Sequence, residues 1–243
     1  MTIYGAAVSN KKADTFGNIL SSKLVDDEMG VSSPIQDRVQ RIAIIDYGAG
    51  NLFSVKNALS FLGYENAYFA DTPASLIEAD KLILPGVGAF PDAMQKLSER
   101  DLIPAIRDAA RREGKPLLGI CLGMQILFER GFEFEETEGL GLIEGIVDLI
   151  LAPGLKIPHM GWDDVTIVNP SPMTESVQNG DRVYFVHSYK AVCADKNICL
   201  ETTYGQRIPA LVRNDGGNVY GAQFHPEKSG PVGLRILESF LTL

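Results

Sequence analysis

The stretch that decides the fold is Lys115-Pro-Leu-Leu-Gly-Ile-Cys-Leu-Gly-Met-Gln-Ile-Leu-Phe128. Leu117 to Ile120 form a short apolar run that predicts a buried strand, and an apolar, helix-like segment runs from Leu122 to about residue 129. Cys121 stands at the junction between two glycines, which allow the backbone to turn sharply. The pattern G-x-C-x-G is the cysteine version of a nucleophile elbow.

The elbow has two interpretations. The start of a helix offers free N–H groups and a positive partial charge, which favour a thiolate at Cys121. A buried structural cysteine after a core strand would show the same pattern. A catalytic interpretation therefore requires a base elsewhere in the chain.

Bulk composition excludes several classes of function. The chain has 243 residues, of which 45% are hydrophobic and 22% charged, as expected for one large α/β domain or two small ones. A net charge of −9 argues against nucleic-acid binding, and no apolar run reaches the roughly 20 residues that span a membrane. The three cysteines form no paired framework, which predicts a cytoplasmic protein. The three histidines lack metal-ligand spacing, and we expect neither a metal nor a cofactor.

The chain divides near residue 40. Residues 1–40 are polar, contain several acidic residues and the breaker Ser32-Ser33-Pro34, and lack the features of a signal peptide. We expect them to be a mobile or loosely docked extension. The compact domain is predicted over residues 41–243.

The order of elements predicts an α/β fold with a mostly parallel open sheet flanked by helices. A strand over 42–46 leads into a helix that ends near residue 62, and a second strand over 81–84 leads into a helical stretch over 90–112 with a break at Pro104. From Gly131, short strand-like pieces predict a mixed or antiparallel extension of the sheet, and a closing helix runs from residue 230. The pieces are 145–150, 164–168, 182–186, 198–203, 210–212 and 218–224.

Active sites of such sheets lie at the carboxyl ends of the strands. The turns at Gly48–Asn51 and Gly86–Gly88 fall there together with Cys121. The first turn also invites a dinucleotide-site interpretation, but the third glycine position is occupied by Phe53.

His225-Pro226-Glu227 supplies a base and an orienting carboxylate. Residues i and i+2 of a strand share a face, so the imidazole and the carboxylate can meet. His187 is a rival base without a nearby acid, and His159, placed in a proline-flanked loop, is a weaker one.

The oxyanion of a tetrahedral intermediate needs N–H donors. The N–H of Leu122 is one candidate, and the turn Gly86-Val87-Gly88 is predicted to supply another.

With these residues assembled, the chain resembles the class I (triad) glutamine amidotransferases, a flavodoxin-like family. Within that group it is similar to the glutaminase subunits of imidazole glycerol phosphate synthases. The matching stretches are Asp46-Tyr-Gly-Ala-Gly-Asn-Leu52, Pro85-Gly-Val-Gly-Ala-Phe90, Gly119-Ile-Cys-Leu-Gly-Met-Gln125, Pro158-His-Met-Gly-Trp162, Tyr184-Phe-Val-His-Ser-Tyr189 and Gln223-Phe-His-Pro-Glu-Lys-Ser229.

The resemblance implies glutamine hydrolysis through a γ-glutamyl thioester on Cys121, with ammonia passed to a separate (β/α)₈ cyclase/synthase subunit in a heterodimer that serves histidine biosynthesis. It implies that Gln125 and the backbone around His187, Ser188 and Tyr189 hold the amino-acid end of glutamine. It places Asn51, Trp162 and Lys228 on the partner-facing side.

The chain departs from the family pattern at two positions. Asp163 stands where the family usually has Asn, and Lys190 replaces a frequent Tyr. Paralogues of the subunit feed ammonia to sugar-modifying enzymes of surface polysaccharide synthesis, which is an alternative function.

Two further hypotheses compete. A stand-alone Cys-His hydrolase would be fully active without a partner, and a non-catalytic nucleotide-binding or scaffold subunit would carry an inert Cys121. If activity depends on a partner, we expect the N–H groups of the Pro85–Gly88 turn to be misplaced in the isolated subunit.

Overall fold

The structure is a computed structural model that describes residues 40–243. The predicted extension over residues 1–40 lies, apart from Gln40, outside the described residues. The fourteen strands of the described part are β1 (Ile42–Ile45), β2 (Tyr68–Ala70), β3 (Lys81–Gly86), β4 (Leu117–Cys121), β5 (Arg130–Gly131), β6 (Thr137–Glu138), β7 (Ile146–Leu149), β8 (His159–Asp164), β9 (Thr166–Ile167), β10 (Arg182–His187), β11 (Tyr189–Val192), β12 (Ile198–Thr203), β13 (Arg207–Arg213) and β14 (Val219–Ala222).

Eight of these strands form the central sheet, in the order β2-β1-β3-β4-β14-β13-β12-β9. The first five are parallel, and the pairs from β14 to β9 are antiparallel. The prediction of a mostly parallel sheet with an antiparallel extension is therefore confirmed. Two smaller sheets, β10-β8 and β11-β7-β5-β6, are built from the second half of the chain.

Six α-helices flank the sheets: α1 (Leu52–Phe61), α2 (Pro73–Ile77), α3 (Phe90–Glu99), α4 (Leu102–Arg111), α5 (Leu122–Gln125) and α6 (Gly230–Leu241). The sequence analysis missed β2 and α2, whose runs of three and five residues are too short to show a clear period.

The predicted break at Pro104 is wrong in position. The chain turns at Arg100 and Asp101, where Asp101 has φ 55°, and Pro104 lies in the first turn of α4. A first-turn N–H has no intrahelical partner, so proline costs little there. The helix after Cys121 is also shorter than expected, because α5 ends at Gln125.

Both faces of the sheet are buried, which explains the continuous apolar runs of its central strands. Alternate residues of β1 separate into two cores: Ala43 and Ile45 pack on one side, and Ile42 and Ile44 on the other. This double burial holds the carboxyl ends of β1, β3, β4 and β14 in a fixed row.

Candidate active site

The nucleophile elbow joins β4 directly to α5. Cys121 has φ 55° and ψ −112°, a conformation that L-residues rarely adopt and that is maintained at functional sites by the surrounding packing. The glycines beside it serve a different purpose from the one expected. A Cβ atom at Gly123 would lie 1.7 Å from the carbonyl oxygen of Leu84, and one at Gly119 would lie 2.5 Å from that of Gly123. The glycines therefore provide space for close packing, and the cysteine itself takes the strained turn.

The structure brings His225 and Glu227 to this cysteine. Strand β14 is paired in parallel with β4, with Ala222 opposite Ile120, so the segment after β14 passes the elbow. The imidazole of His225 lines the same cavity as the Cys121 thiol and interacts with it electrostatically, and its Nδ1 lies 2.9 Å from Glu227 Oε1. The side chains of His225 and Glu227 are only 3% and 1% exposed.

The predicted pairing of His225 with Glu227 has a different structural cause from the one expected. Pro226–Lys228 form a short 3₁₀ turn, not a strand, and this turn brings the carboxylate back to the imidazole.

The electrostatics of this group favour an imidazolium. Burial alone would lower the pKa of His225, but hydrogen bonds and charge interactions with Cys121 and Glu227 outweigh it and raise the pKa to about 9. At rest the Cys121 sulfur lies 3.8 Å from the carbonyl oxygen of Val186 and 4.0 Å from Nε2 of Gln223.

The second carboxylate oxygen of Glu227, Oε2, is buried without a hydrogen-bond partner in the described structure. A narrow void beside the His225–Glu227 pair is lined by Asn51, Gly86 and Val87. Asn51, expected at the partner-facing side, thus lies next to His225 and Glu227.

A cavity of about 320 Å³ opens above the elbow. It brings together nine of the predicted site residues, namely Val87, Gly88, Cys121, Leu122, Gln125, His187, Ser188, Tyr189 and His225. Gly86 is not among the residues that line the cavity, and it lies opposite Cys121 where β3 pairs with β4.

Gln125 connects the floor of this cavity to its wall. Its Nε2 donates hydrogen bonds to the carbonyl oxygen of Tyr189 at 3.0 Å and to Oε1 of Gln223 at 3.2 Å. The amide of Gln125 therefore holds the 187–189 segment in place beside the thiol.

Glu133 is a cavity residue that the sequence analysis missed. One of its oxygens accepts a hydrogen bond from the N–H of Phe90 at 2.7 Å, at the start of α3. In the sequence it lies in an acidic run, Glu133 to Glu136, that is typical of a solvated turn, and only the path of the chain brings it to the cavity. Pro158 and Val186 complete the lining and were also missed.

His187 is the wall of the cavity and is poorly suited to act as a base. Burial is the main cause that lowers its pKa to about 3, and its Nδ1 lies 2.8 Å from the carbonyl oxygen of Tyr189. His159, expected in a loop, is instead the first residue of β8, and it is buried opposite His187.

The remaining predicted residues lie on the surface. Trp162 is 44% exposed, and its ring lies 3.9 Å from the Cβ position of Gly230, two residues beyond the exposed Lys228. Within residues 40–243, no helix is both long and apolar enough to cross a membrane, and no group of three or more potential ligands could hold a metal ion.

Comparison with known proteins places this geometry in a family. The sequence model of the family described as Glutamine amidotransferase class-I matches residues 43–243. The Imidazole glycerol phosphate synthase subunit HisH of Lactococcus lactis is 50% identical over 204 residues, which cover 84% of this chain and 98% of that protein. The chain belongs to the class-I glutamine amidotransferases and, among them, to the HisH family.

Further similar proteins support the same family and the same fold. The subunit HisH of Listeria innocua is 46% identical over 200 residues, which cover 82% of this chain and 94% of that protein. Among solved structures, a chain from the structure of PurLQS from Thermotoga maritima superposes with a TM-score of 0.65 and 27% identity, covering 84% of this chain and 98% of that one. The glutaminase domain of Trypanosoma brucei CTPS, at 20% identity and a TM-score of 0.58, shares the fold.

Proposed function

We propose that this chain is the glutaminase subunit of an imidazole glycerol phosphate synthase. It hydrolyses glutamine to glutamate and supplies ammonia to the synthase subunit in histidine biosynthesis. HisH relatives with 46–50% identity over more than nine-tenths of their length support this function. The observation that carries the chemistry is the Cys121–His225–Glu227 arrangement beside a cavity large enough for an amino acid.

The first half of the proposed reaction forms a thioester. The Cys121 thiolate attacks the side-chain amide carbon of glutamine, and the carbonyl oxygen becomes an oxyanion. The N–H of Leu122, at the start of α5, is a proposed donor to this oxyanion, and the Gly86–Gly88 turn supplies the second. The imidazolium of His225 gives its proton to the leaving nitrogen, the C–N bond breaks, and ammonia departs.

The second half regenerates the enzyme. Neutral His225 removes a proton from water, the hydroxide attacks the thioester, and the C–S bond breaks to release glutamate. Throughout, Glu227 holds the Nδ1 proton of His225 and stabilises the imidazolium.

The cavity also suits the amino-acid end of glutamine. Glu133 offers a carboxylate for the α-ammonium group, and Gln125, Ser188 and Tyr189 offer hydrogen-bonding groups. We place the activity in the cytoplasm, since all three cysteines are free thiols.

The test measures glutamate release by the complex of this chain with the synthase subunit, in the presence of the synthase subunit's ligand. We expect Cys121→Ala to lower kcat by at least about 10⁴-fold, because the nucleophile is lost. Mass spectrometry should place one covalent adduct of a glutamine-like diazoketone on Cys121 in the wild-type chain and none in the variant. Residual hydrolysis in Cys121→Ala close to the wild-type rate would refute the mechanism.

A further inference from the structure

A row of three contacts connects the cavity wall to the protein surface. His187 Nδ1 lies 2.8 Å from the carbonyl oxygen of Tyr189, His159 Nδ1 lies 3.0 Å from His187 Nε2, and Asp163 Oδ2 lies 2.6 Å from His159 Nε2. His159 and His187 are buried, whereas the side chain of Asp163 is 38% exposed. The row therefore leads from the wall of the cavity to solvent.

The row needs more protons than its neutral rings carry. Each of the three contacts requires one proton, because carbonyl and carboxylate oxygens can only accept. Two neutral imidazoles supply one ring proton each. All three contacts can form together only if the row binds one additional proton.

The additional proton belongs at the outer end of the row. Burial, the largest cause, lowers the pKa of His187 to about 3, so this ring is neutral and its single proton points to Tyr189. His187 Nε2 then accepts from His159 Nδ1, which leaves the contact between His159 Nε2 and Asp163 without a proton of its own. We assign the proton to His159, since water stabilises the ionised form of a partly exposed carboxylate.

The surroundings of His159 make this proton easy to lose. Burial lowers the pKa of His159, although the hydrogen bond and the charge of Asp163 act in the opposite direction. The ring is stacked between Phe185 and Tyr204, with centroids 4.7 Å and 4.1 Å away.

The other charged groups that face this end of the row line the polar cleft outside Asp163. They are Asp164, Arg182 and Glu201, and Arg182 is paired with Asp164 at 3.2 Å. In the part of the chain that the structure describes, Asp163 is the carboxylate that contacts His159.

Loss of the proton would disturb the cavity wall. Hydrogen bonds to an ionised group are roughly twice as strong as neutral ones, so the Asp163 carboxylate attracts the remaining His159 proton to Nε2. Two lone pairs then face each other 3.0 Å apart, on His159 Nδ1 and His187 Nε2. Moving the His187 proton to Nε2 relieves this conflict but breaks the bond to the Tyr189 carbonyl, which also holds Gln125.

We propose that Asp163 and His159 are positioning residues for the His187–Tyr189 wall of the glutamine cavity, and that they hold it only while they share one additional proton. The inference rests on the proposed function, because it assigns this wall to glutamine. Substituting Asn for Asp163 removes the proton requirement, since the amide N–H of Asn supplies the third hydrogen bond to a neutral His159.

The first test measures KM and kcat for glutamine in the complex with the synthase subunit, from about pH 5.5 to about pH 8.5, across the range where histidine titrates. We expect the wild-type KM to rise about tenfold with pH, the equivalent of one lost hydrogen bond, with a smaller change in kcat. Asp163→Asn should keep the low KM at every pH. Asp164→Asn is the matched control and should follow the wild type. Equal pH-dependence of KM in Asp163→Asn and the wild type would overturn the proposal.

The second test requires no glutaminase activity and therefore separates this inference from the proposed function. Nitrogen NMR of the ¹⁵N-histidine-labelled chain should show two rings with both nitrogens protonated at low pH, His159 and His225, since the pKa of His225 is raised to about 9. As pH rises to neutral, His159 should lose its additional proton while His187 changes its tautomer, and neither change should occur in Asp163→Asn. Titration of His159 without a response of His187 would refute the coupling. The expected NMR result in a protein that does not hydrolyse glutamine would refute only the proposed function.

Discussion

At the residue scale, the proposed chemistry depends on how three side chains share protons. Cys121 is held in a strained backbone conformation, and we propose His225 as the base that acts on it. One carboxylate oxygen of Glu227 contacts the His225 ring, and the other is buried without a hydrogen-bond partner in the described structure. A buried carboxylate is costly, so it persists where it stabilises a neighbouring charge.

Replacement of Glu227 tests that role. We expect Glu227→Gln to lower kcat by about 10²- to 10⁴-fold, because the amide neither stabilises the imidazolium nor fixes the tautomer. The wild-type His225 has its pKa raised to about 9, so it is charged below that pH and loses its charge as pH rises through it. The Glu227→Gln variant loses one of the interactions that raise the pKa of His225, so this pKa should fall. The rate at which iodoacetamide alkylates Cys121 should therefore change at a lower pH than in the wild type.

The exposed Glu144→Gln is the control for this experiment and should retain the wild-type kcat and alkylation profile. An unchanged kcat in Glu227→Gln would show that the carboxylate does not orient the base.

At the element scale, the elbow depends on the close approach of β3, β4 and α5. We expect Gly123→Ala to destabilise the fold by about 2–4 kcal/mol, because the new Cβ would collide with the Leu84 carbonyl of β3. Gly180→Ala is the matched control. Its Cβ meets nothing within 4 Å, and the cost arises only from a φ of +92°.

Chemical denaturation of both variants shows whether the loss of stability arises from the steric collision of the new Cβ or from backbone strain. We expect Gly180→Ala to lose about 1 kcal/mol of unfolding free energy, less than Gly123→Ala. Equal losses would mean that packing at the elbow has relaxed and that the close approach is unimportant.

At the scale of the whole molecule, exposed apolar side chains on β8 flank the outer side of the site. Met160 and Trp162 are 61% and 44% exposed, and Lys228, two residues before the Gly230 that Trp162 approaches, is exposed as well. We propose that this surface contacts the synthase subunit, in keeping with the tendency of aromatic residues to dominate interfaces.

Substitution of Trp162 tests the contact. We expect Trp162→Ala to weaken heterodimer formation by about 10- to 100-fold, since a buried aromatic anchor contributes roughly 1–3 kcal/mol. Calorimetric titration with the synthase subunit measures the loss. Ile77→Ala is the control, because Ile77 is a 68% exposed apolar residue on α2. Equal affinity of the Trp162→Ala and Ile77→Ala variants would remove Trp162 from the interface.

The sequence by itself predicted most of the central sheet, the elbow at Cys121 and the meeting of His225 with Glu227. Short buried strands followed by glycine turns have few alternative packings, and G-x-C-x-G together with His-Pro-Glu limits the chemistry. The family assignment follows from the same stretches. Short elements were predicted poorly, since β2 and α2 were missed and α5 was predicted too long, because a few residues cannot display a period.

Only the tertiary structure decided which polar residues meet. Glu133 reaches the cavity through the path of a loop, and His159 reaches His187 because β8 pairs with β10. The glycines of the elbow serve close packing while Cys121 takes the strained turn, which no local pattern distinguishes. Contacts between residues distant in sequence depend on strand register and burial, and these are properties of the assembled fold.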